Sequence, residues 1–333
     1  MLVAGKDIEM NMLRPRAKRL EDITDEMWNQ VSEEHKSITD EFLKVNSQLS
    51  KQTRKQYTSG LHQFFWWVHT ELKDKPLYKI TKRDFLKYLS YLDDKNMSSS
   101  GKGFKKASVS SLNNYIENIV ADDDENYKTF RNFTKNLPSI PKNRTYNKVK
   151  ITQEEYNLMM ETLLKDNNYM GMAWVASAWN IGARRSELLQ FKSDIINYPI
   201  PEGQNYVLSH WIRGKGKSVD GKPLQYMVNL EALKYIKLWI DKRGYEHEYI
   251  FTNRNKEQIS ESWADEFCAN VLSPIVGRRI NVHLWKASCI TNLLSKGVDI
   301  KLVSKYVAQH EDVSTTSSFY DLRDFEEEKN SIF

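Results

Sequence analysis

The stretch Gly182-Ala-Arg-Arg-Ser-Glu-Leu-Leu189 follows directly on the longest apolar run of the chain, Met170 to Ile181. Ser177 and Asn180 break that run, which is also shorter than the ~20 residues a membrane helix needs, so it reads as a buried helix. Gly182 is placed to end it. A new helix opening at Ser186 leaves Arg184 and Arg185 at a helix start, where free backbone N–H groups and the positive dipole end favour an anion. An arginine in such a place serves more often in a structural ion pair, so its meaning depends on what the rest of the chain supplies.

Downstream, Tyr206 to Ile212 and Leu224 to Leu230 alternate as strands do and flank a Gly/Lys turn, which predicts a β-hairpin. In the turn Arg213-Gly-Lys-Gly-Lys-Ser218, glycines on both sides of Lys215 let the tip approach a partner closely. A nucleotide-binding loop requires one more glycine where Trp211 stands, which argues against that reading. His283-Leu-Trp-Lys286 opens another predicted helix and sets His283 and Lys286 on one face. Lysine at that spacing argues against a metal site. Finally, His310-Glu-Asp-Val-Ser-Thr-Thr-Ser-Ser-Phe-Tyr320 places a histidine ten residues before a tyrosine. Taken singly, each histidine reads as structural.

Taken in order, these motifs resemble the tyrosine recombinase (phage integrase) family, over about Ile151 to Tyr320. Position by position, the resemblance implies Arg184 as the first catalytic arginine, Lys215 as the hairpin lysine, His283 as the box histidine, His310 at the third His/Trp position and Tyr320 as the nucleophile. The family's second arginine falls on Lys286, a departure that keeps the charge but exchanges a planar fork for a mobile point charge. Arg278 or Arg279 is the alternative phosphate contact. Two further departures are Ala287, where a histidine is frequent, and Gln309, where glycine is usual.

The implied activity is site-specific cleavage and rejoining of DNA through a covalent 3′-phosphotyrosyl link, with no cofactor, since that link stores the energy of the broken bond. Arg184 would hold the scissile phosphate, Lys215 would protonate the leaving 5′-oxygen, and His283 and His310 would donate hydrogen bonds or move protons. The implied partners are double-stranded DNA recombination sites, a homotetramer formed on them and accessory directionality proteins, with no membrane. Two alternatives stay open: a DNA-binding relative that has lost catalysis through Lys286, and a type IB topoisomerase or telomere resolvase.

Composition and charge define the rest. With 333 residues, 13 Gly, 8 Pro and 40% hydrophobic residues, the chain is globular and sized for about two domains. Two cysteines, Cys268 and Cys289, make no disulfide framework, and a charged N-terminus does not read as a signal peptide, so a cytoplasmic setting on DNA is expected. The net charge of +5 is unevenly spread: residues 46–150 carry 20 Lys and Arg against 10 Asp and Glu, whereas residues 1–45 and 151–333 are each slightly acidic. A basic block of domain size is the footprint of a nucleic-acid clamp.

The expected fold is therefore mainly α with a small β-hairpin: an all-helical core-binding bundle, then a mixed α+β catalytic domain. Its expected parts are an N-terminal extension over 1–45, the DNA-binding bundle over 46–137, a basic linker over 138–150, the catalytic domain over 151–320 and a tail over 321–333. Within the bundle, helices are predicted from Ser50, from the capping box Thr81/Asp84, from Ser108 after a Ser98 to Lys106 loop, and over Tyr127 to Asn136. Arg54, Lys55, Lys102, Lys105, Lys106, Arg144 and Arg185 are the candidate DNA contacts, Arg185 with a structural ion pair as its alternative.

Overall fold

The computed structural model describes residues 20–142, 149–216 and 221–323, which fall into two compact units, one within residues 12–147 and the other from Lys148 on. The first is a helical bundle of α1 (Asp25–Gln30), α2 (Glu33–Val45), α3 (Lys51–Leu72), α4 (Lys82–Asp94) and α5 (Ser99–Asn118). Each starts on a serine or threonine (Thr24, Ser32, Ser50, Thr81 and Ser98) whose side-chain oxygen accepts the N–H three residues on. At Thr81 the return bond from Asp84 completes the predicted capping box. The core is aromatic: Phe64 packs against Phe85, Tyr88 and Phe133 at centroid separations of 5.8, 5.1 and 6.2 Å.

Three expectations for this half are corrected. The residues from Thr24 on are not a separate extension, because Val31, Ile38, Phe42 and Leu43 are buried in the same core as α3 and α5. The Ser98 to Lys106 segment is no loop but the first two turns of α5, nucleated by the Ser98 cap. And Tyr127 to Asn136 is a series of turns rather than a helix. There Asn132 is the reason: its Oδ1 accepts from Thr134 N at 2.9 Å, and its Nδ2 donates to Ser110 O at 3.1 Å and Asn114 Oδ1 at 2.9 Å. Such side-chain bonds compete with the helical ladder.

The second unit begins with the predicted capping box of Thr152 and Glu155 on α6 (Gln153–Lys165). Next come the apolar α7 (Tyr169–Ile181), buried nearly all round as its sequence requires, and the single turn α8 (Arg185–Leu188). Four three-residue strands follow, β1 (Tyr206–Leu208), β2 (Ile212–Gly214), β3 (Lys222–Leu224) and β4 (Met227–Asn229). β1 pairs antiparallel with β4, and β2 with β3 in the register Ile212↔Leu224, so one hairpin is interrupted midway. Helices α9 (Leu230–Arg243) and α10 (Glu261–Phe267) follow, α10 running through a π-helical turn into α11 (Ser273–Val276). The chain then forms α12 (Val282–Ser295), α13 (Ile300–Leu302), a second π-helical turn over Val303–Ala308, and α14 (Val313–Phe319). Trp174 of α7 and Trp285 of α12 meet edge to face at 5.5 Å in the centre. No helix among the described residues is long and apolar enough to cross a membrane.

Gly60 and Gly103 give opposite predictions. A Cβ on Gly60 would lie 2.9 Å from Ser108 Cβ, where α3 crosses α5, whereas one on Gly103 would meet nothing within 4 Å. Gly60→Val should destabilise the bundle by about 1–3 kcal/mol through overpacking. Gly103→Ala should stabilise it by roughly 0.5–1 kcal/mol, because a mid-helix glycine costs backbone entropy. Urea denaturation of the two variants checks the signs.

Candidate active site

Arg184 stands between two constraints. Gly182, with φ of 71°, ends α7 in the left-handed region, and a Cβ there would lie 2.7 Å from Val307 Cγ1, so glycine is required on both counts. Two residues on, the Arg184 N–H donates to Glu187 Oε2 at 2.6 Å and its Nη1 to Glu187 Oε1 at 2.8 Å. Glu187 is only 1% exposed, and its Oε2 also accepts the Tyr226 hydroxyl at 2.6 Å. Burial alone would raise its pKa, but the charge of Lys286, the Tyr226 and Arg184 N–H bonds and the guanidinium outweigh it and hold the carboxyl below the usual range.

Lys286 reaches the same place from α12. Its Nζ donates to Ala308 O at 2.7 Å, at the end of the second π-helical turn, and lies 6.0 Å from the centre of the Tyr320 ring. Burial, with Arg184 adding repulsion, pushes its pKa down to about 7. Beyond Ala308 the chain turns through Gln309, left-handed with φ of 57°, to His310, whose N–H donates to Ser304 O at 3.0 Å.

The His310 ring is fixed by a polar chain: Nδ1 contacts Thr316 Oγ1 at 2.8 Å, and the Thr316 hydroxyl donates on to Ser304 Oγ at 2.9 Å. With the threonine proton committed to Ser304, Nδ1 carries the hydrogen and Nε2 the lone pair. Nε2 is buried without a hydrogen-bond partner among the described residues. Burial, then the charges of Lys286 and Arg184, depress the His310 pKa to about 4, so the ring is neutral at physiological pH. Tyr320 packs on it at 4.7 Å between ring centroids, and Thr291 of α12 bridges Tyr320 O and Leu322 N at 2.9 and 3.0 Å.

The structure thus gathers Arg184, Lys286, His310 and Tyr320 into one cluster. Lys215 and His283 do not join it among the described residues; both are exposed, on the hairpin tip and on the first turn of α12. Arg278 is not an alternative phosphate ligand: its guanidinium binds Glu155 at 2.6 Å and Lys150 O at 3.0 Å. Arg185 pairs with Glu261 at 3.0 Å and with Asp265, the structural alternative for that residue. Among the other candidate DNA contacts, Lys102 and Lys105 are buried, Lys102 paired with Asp93 and Lys105 directed to Ser59 O at 3.5 Å. Arg54 and Lys55 are exposed and Lys106 half-buried, while Arg144 lies outside the described residues. Glu187, Tyr226, Ser304 and Thr316 were not singled out from sequence; only Glu187, three residues after Arg184, carried a spacing signal. No group of His, Cys, Asp and Glu that could hold a metal ion occurs among the described residues.

Residues 150–326 match the model of the phage integrase family. The chain belongs to that family. It is 62% identical over 332 residues to the SPbeta prophage-derived recombinase-like protein YomM of Bacillus subtilis (strain 168), covering 98% of this chain and 99% of that protein. It is 24% identical to the tyrosine recombinase XerC of Staphylococcus saprophyticus subsp. saprophyticus, over 83% of this chain and 88% of the relative. Among solved structures, the Tn1549 transposon integrase in complex with transposon right end DNA superposes with a TM-score of 0.66 at 14% identity, covering 90% of this chain and 98% of that one. The mostly helical architecture with its small hairpin is thus the tyrosine recombinase fold, and the family supports site-specific DNA recombination.

In this integrase-family site, Glu187 should be the most stability-sensitive position. Removing it in Glu187→Ala leaves Arg184 and the Tyr226 hydroxyl without their partner, at about 3–5 kcal/mol. Because the folded-state pKa is depressed, the stabilisation is present above the unfolded value and lost as pH falls through the folded one. Urea denaturation from neutral pH to well below the unfolded carboxylate value of about 4.3 should show this acid loss in the wild type and a flatter profile in Glu187→Gln.

Proposed function

We propose that this protein cuts and rejoins DNA through nucleophilic attack of Tyr320 on a phosphodiester. The observation that carries the proposal is the Tyr320 ring packed on His310 at 4.7 Å, beside the Lys286 ammonium, in the electrostatic field of Arg184. A phenol with pKa ~10 needs a base, and the neutral His310 offers the Nε2 lone pair. As the Tyr320 oxygen bonds to phosphorus, its proton passes to Nε2. The bond to the 5′-oxygen breaks, and that oxygen takes a proton from Lys215 on the exposed hairpin tip. The Arg184 guanidinium engages Glu187 through Nη1, so among the described residues its other N–H groups are left for the non-bridging oxygens. A 5′-hydroxyl reverses the reaction on the covalent 3′-phosphotyrosyl link.

The first unit, rich in Lys and Arg, would hold the duplex as the core-binding part, with the segment over 138–150 as a basic linker. Strand exchange would take place in a homotetramer on two sites, with accessory proteins setting direction. Similarity to a prophage-derived relative favours integration or excision of a mobile element, on DNA in the cytoplasm. One observation favours a second reading, a DNA-binding relative without catalysis: Lys286 stands at the second arginine position and directs its Nζ to a backbone carbonyl.

The two readings separate on a suicide duplex whose sequence is selected from a random library by binding to this protein. A covalent adduct that disappears in Tyr320→Phe, with binding retained, establishes cleavage; binding with no adduct from the wild type establishes the second reading. Lys286→Ala should lower the rate of adduct formation at least tenfold, by analogy with the loss of one charged transition-state donor, and an unchanged rate would remove Lys286 from the reaction. A pH series tests its charge: Lys286 gives up its proton as pH rises through about 7, so the wild-type rate divided by that of Lys286→Arg should fall across that range.

A further inference from the structure

Lys215 lies outside the cluster that its proposed role requires it to serve, so what aims its hairpin matters. Two glutamine side chains grip that hairpin, one on each strand. On β2, Gln190 acts as a surrogate strand residue: its Oε1 accepts from Arg213 N at 3.0 Å and its Nε2 donates to Arg213 O at 3.0 Å. The same Nε2 donates to Ser186 O at 2.8 Å, which ties β2 to the turn that carries Arg184. Arg213 lies on β2, two residues before Lys215, which directly follows that strand.

On the other strand, Gln309 Nε2 donates to Gln225 O at 2.9 Å, immediately after β3, and to Tyr306 O at 3.1 Å. A second tie, between Lys222 at the start of β3 and Glu311 at 3.0 Å, flanks it. Both ends of β3 are thereby fastened to the segment bearing His310. Gln309 is also in the left-handed region, with φ of 57°, where glycine has the lower backbone cost. A side chain standing there against that preference, with its amide joining the residue after β3 to the π-helical turn, points to a reason beyond the turn itself.

We infer that Gln190 and Gln309 are positioning residues for Lys215: together they fix the hairpin between the Arg184 turn and the His310 loop, so that its lysine meets the leaving 5′-oxygen. The inference rests on the cleavage reading above. Neither glutamine touches substrate. Each acts through the backbone of the hairpin, and loss of either should misplace the proton donor while leaving His310 packed on Tyr320 and Arg184 paired with Glu187.

The test is the leaving group. In a duplex with sulfur in place of the bridging 5′-oxygen at the mapped cleavage position, the departing thiolate needs no proton, because a thiol is far more acidic than an alcohol. Gln190→Ala and Gln309→Gly should each form adduct roughly ten- to a hundredfold more slowly than wild type on the oxygen duplex, the scale of loss for a misplaced catalytic group. On the sulfur duplex both should come within about twofold of wild type, as should Lys215→Ala, the reference for a missing acid. Gln309→Gly removes the side chain and relieves the left-handed strain together, so it is expected to fold. Equal losses on both duplexes, or no loss on the oxygen duplex, would overturn the inference while leaving wild-type cleavage standing. Failure of the wild type to form adduct on either duplex would overturn the cleavage reading and this inference with it.

Discussion

One buried carboxylate organises the second unit. Glu187 accepts from the Arg184 backbone, the Arg184 guanidinium and the Tyr226 hydroxyl, and its charge offsets part of the repulsion between Arg184 and the buried Lys286. Without that negative charge, the buried Lys286 would meet the repulsion of Arg184 with less to offset it. The other features follow: Arg184 is oriented by a partner on its own helix turn, and the hairpin residue Tyr226 is tied to that turn.

The polar chain from His310 through Thr316 to Ser304 has a similar character, since each hydroxyl and ring nitrogen decides the role of the next. Such chains hold one tautomer and one ring orientation, which a lone histidine on a loop cannot do. The tyrosine is held from the other side by Thr291, which bonds both the Tyr320 carbonyl and the Leu322 amide. His310 and Tyr320 therefore lie on a short run of chain, Val303 to Leu322, stitched to α12 by side-chain bonds from Lys286 and Thr291 rather than by strand pairing.

Much of the fold was legible in local signals. The capping boxes at Thr81 and Thr152, the apolar α7 with its terminal Gly182 and the strand alternation around Lys215 are short-range patterns with short-range causes. The misreadings were likewise physical. Ser98 to Lys106, rich in Ser, Gly and Lys, looks like a loop until the Ser98 cap and the packing of α5 on α3 override its poor helix propensity. The aromatic run ending near Asn136 looks helical until Asn132 engages the backbone and side chains of α5. Candidate contacts chosen by charge failed for Lys102 and Lys105, because charge alone does not reveal which side of a helix faces the core.

The sequence by itself determined the class of fold, the end of α7 and the hairpin, since motif order and helical spacing are properties of the chain; the six candidate site positions are what its resemblance to the family implies. Only the tertiary structure decided that Lys286 bonds to Ala308, that Arg185 and Arg278 belong to structural ion pairs, and that Glu187, Gln190 and Gln309 link separate elements. The reason is sequence distance: the Lys286–Ala308, Arg185–Glu261, Arg278–Glu155, Glu187–Tyr226, Gln190–Arg213 and Gln309–Gln225 contacts all join residues more than twenty positions apart, and their meeting is set by how the helices pack around Trp174 and Trp285 rather than by any local pattern.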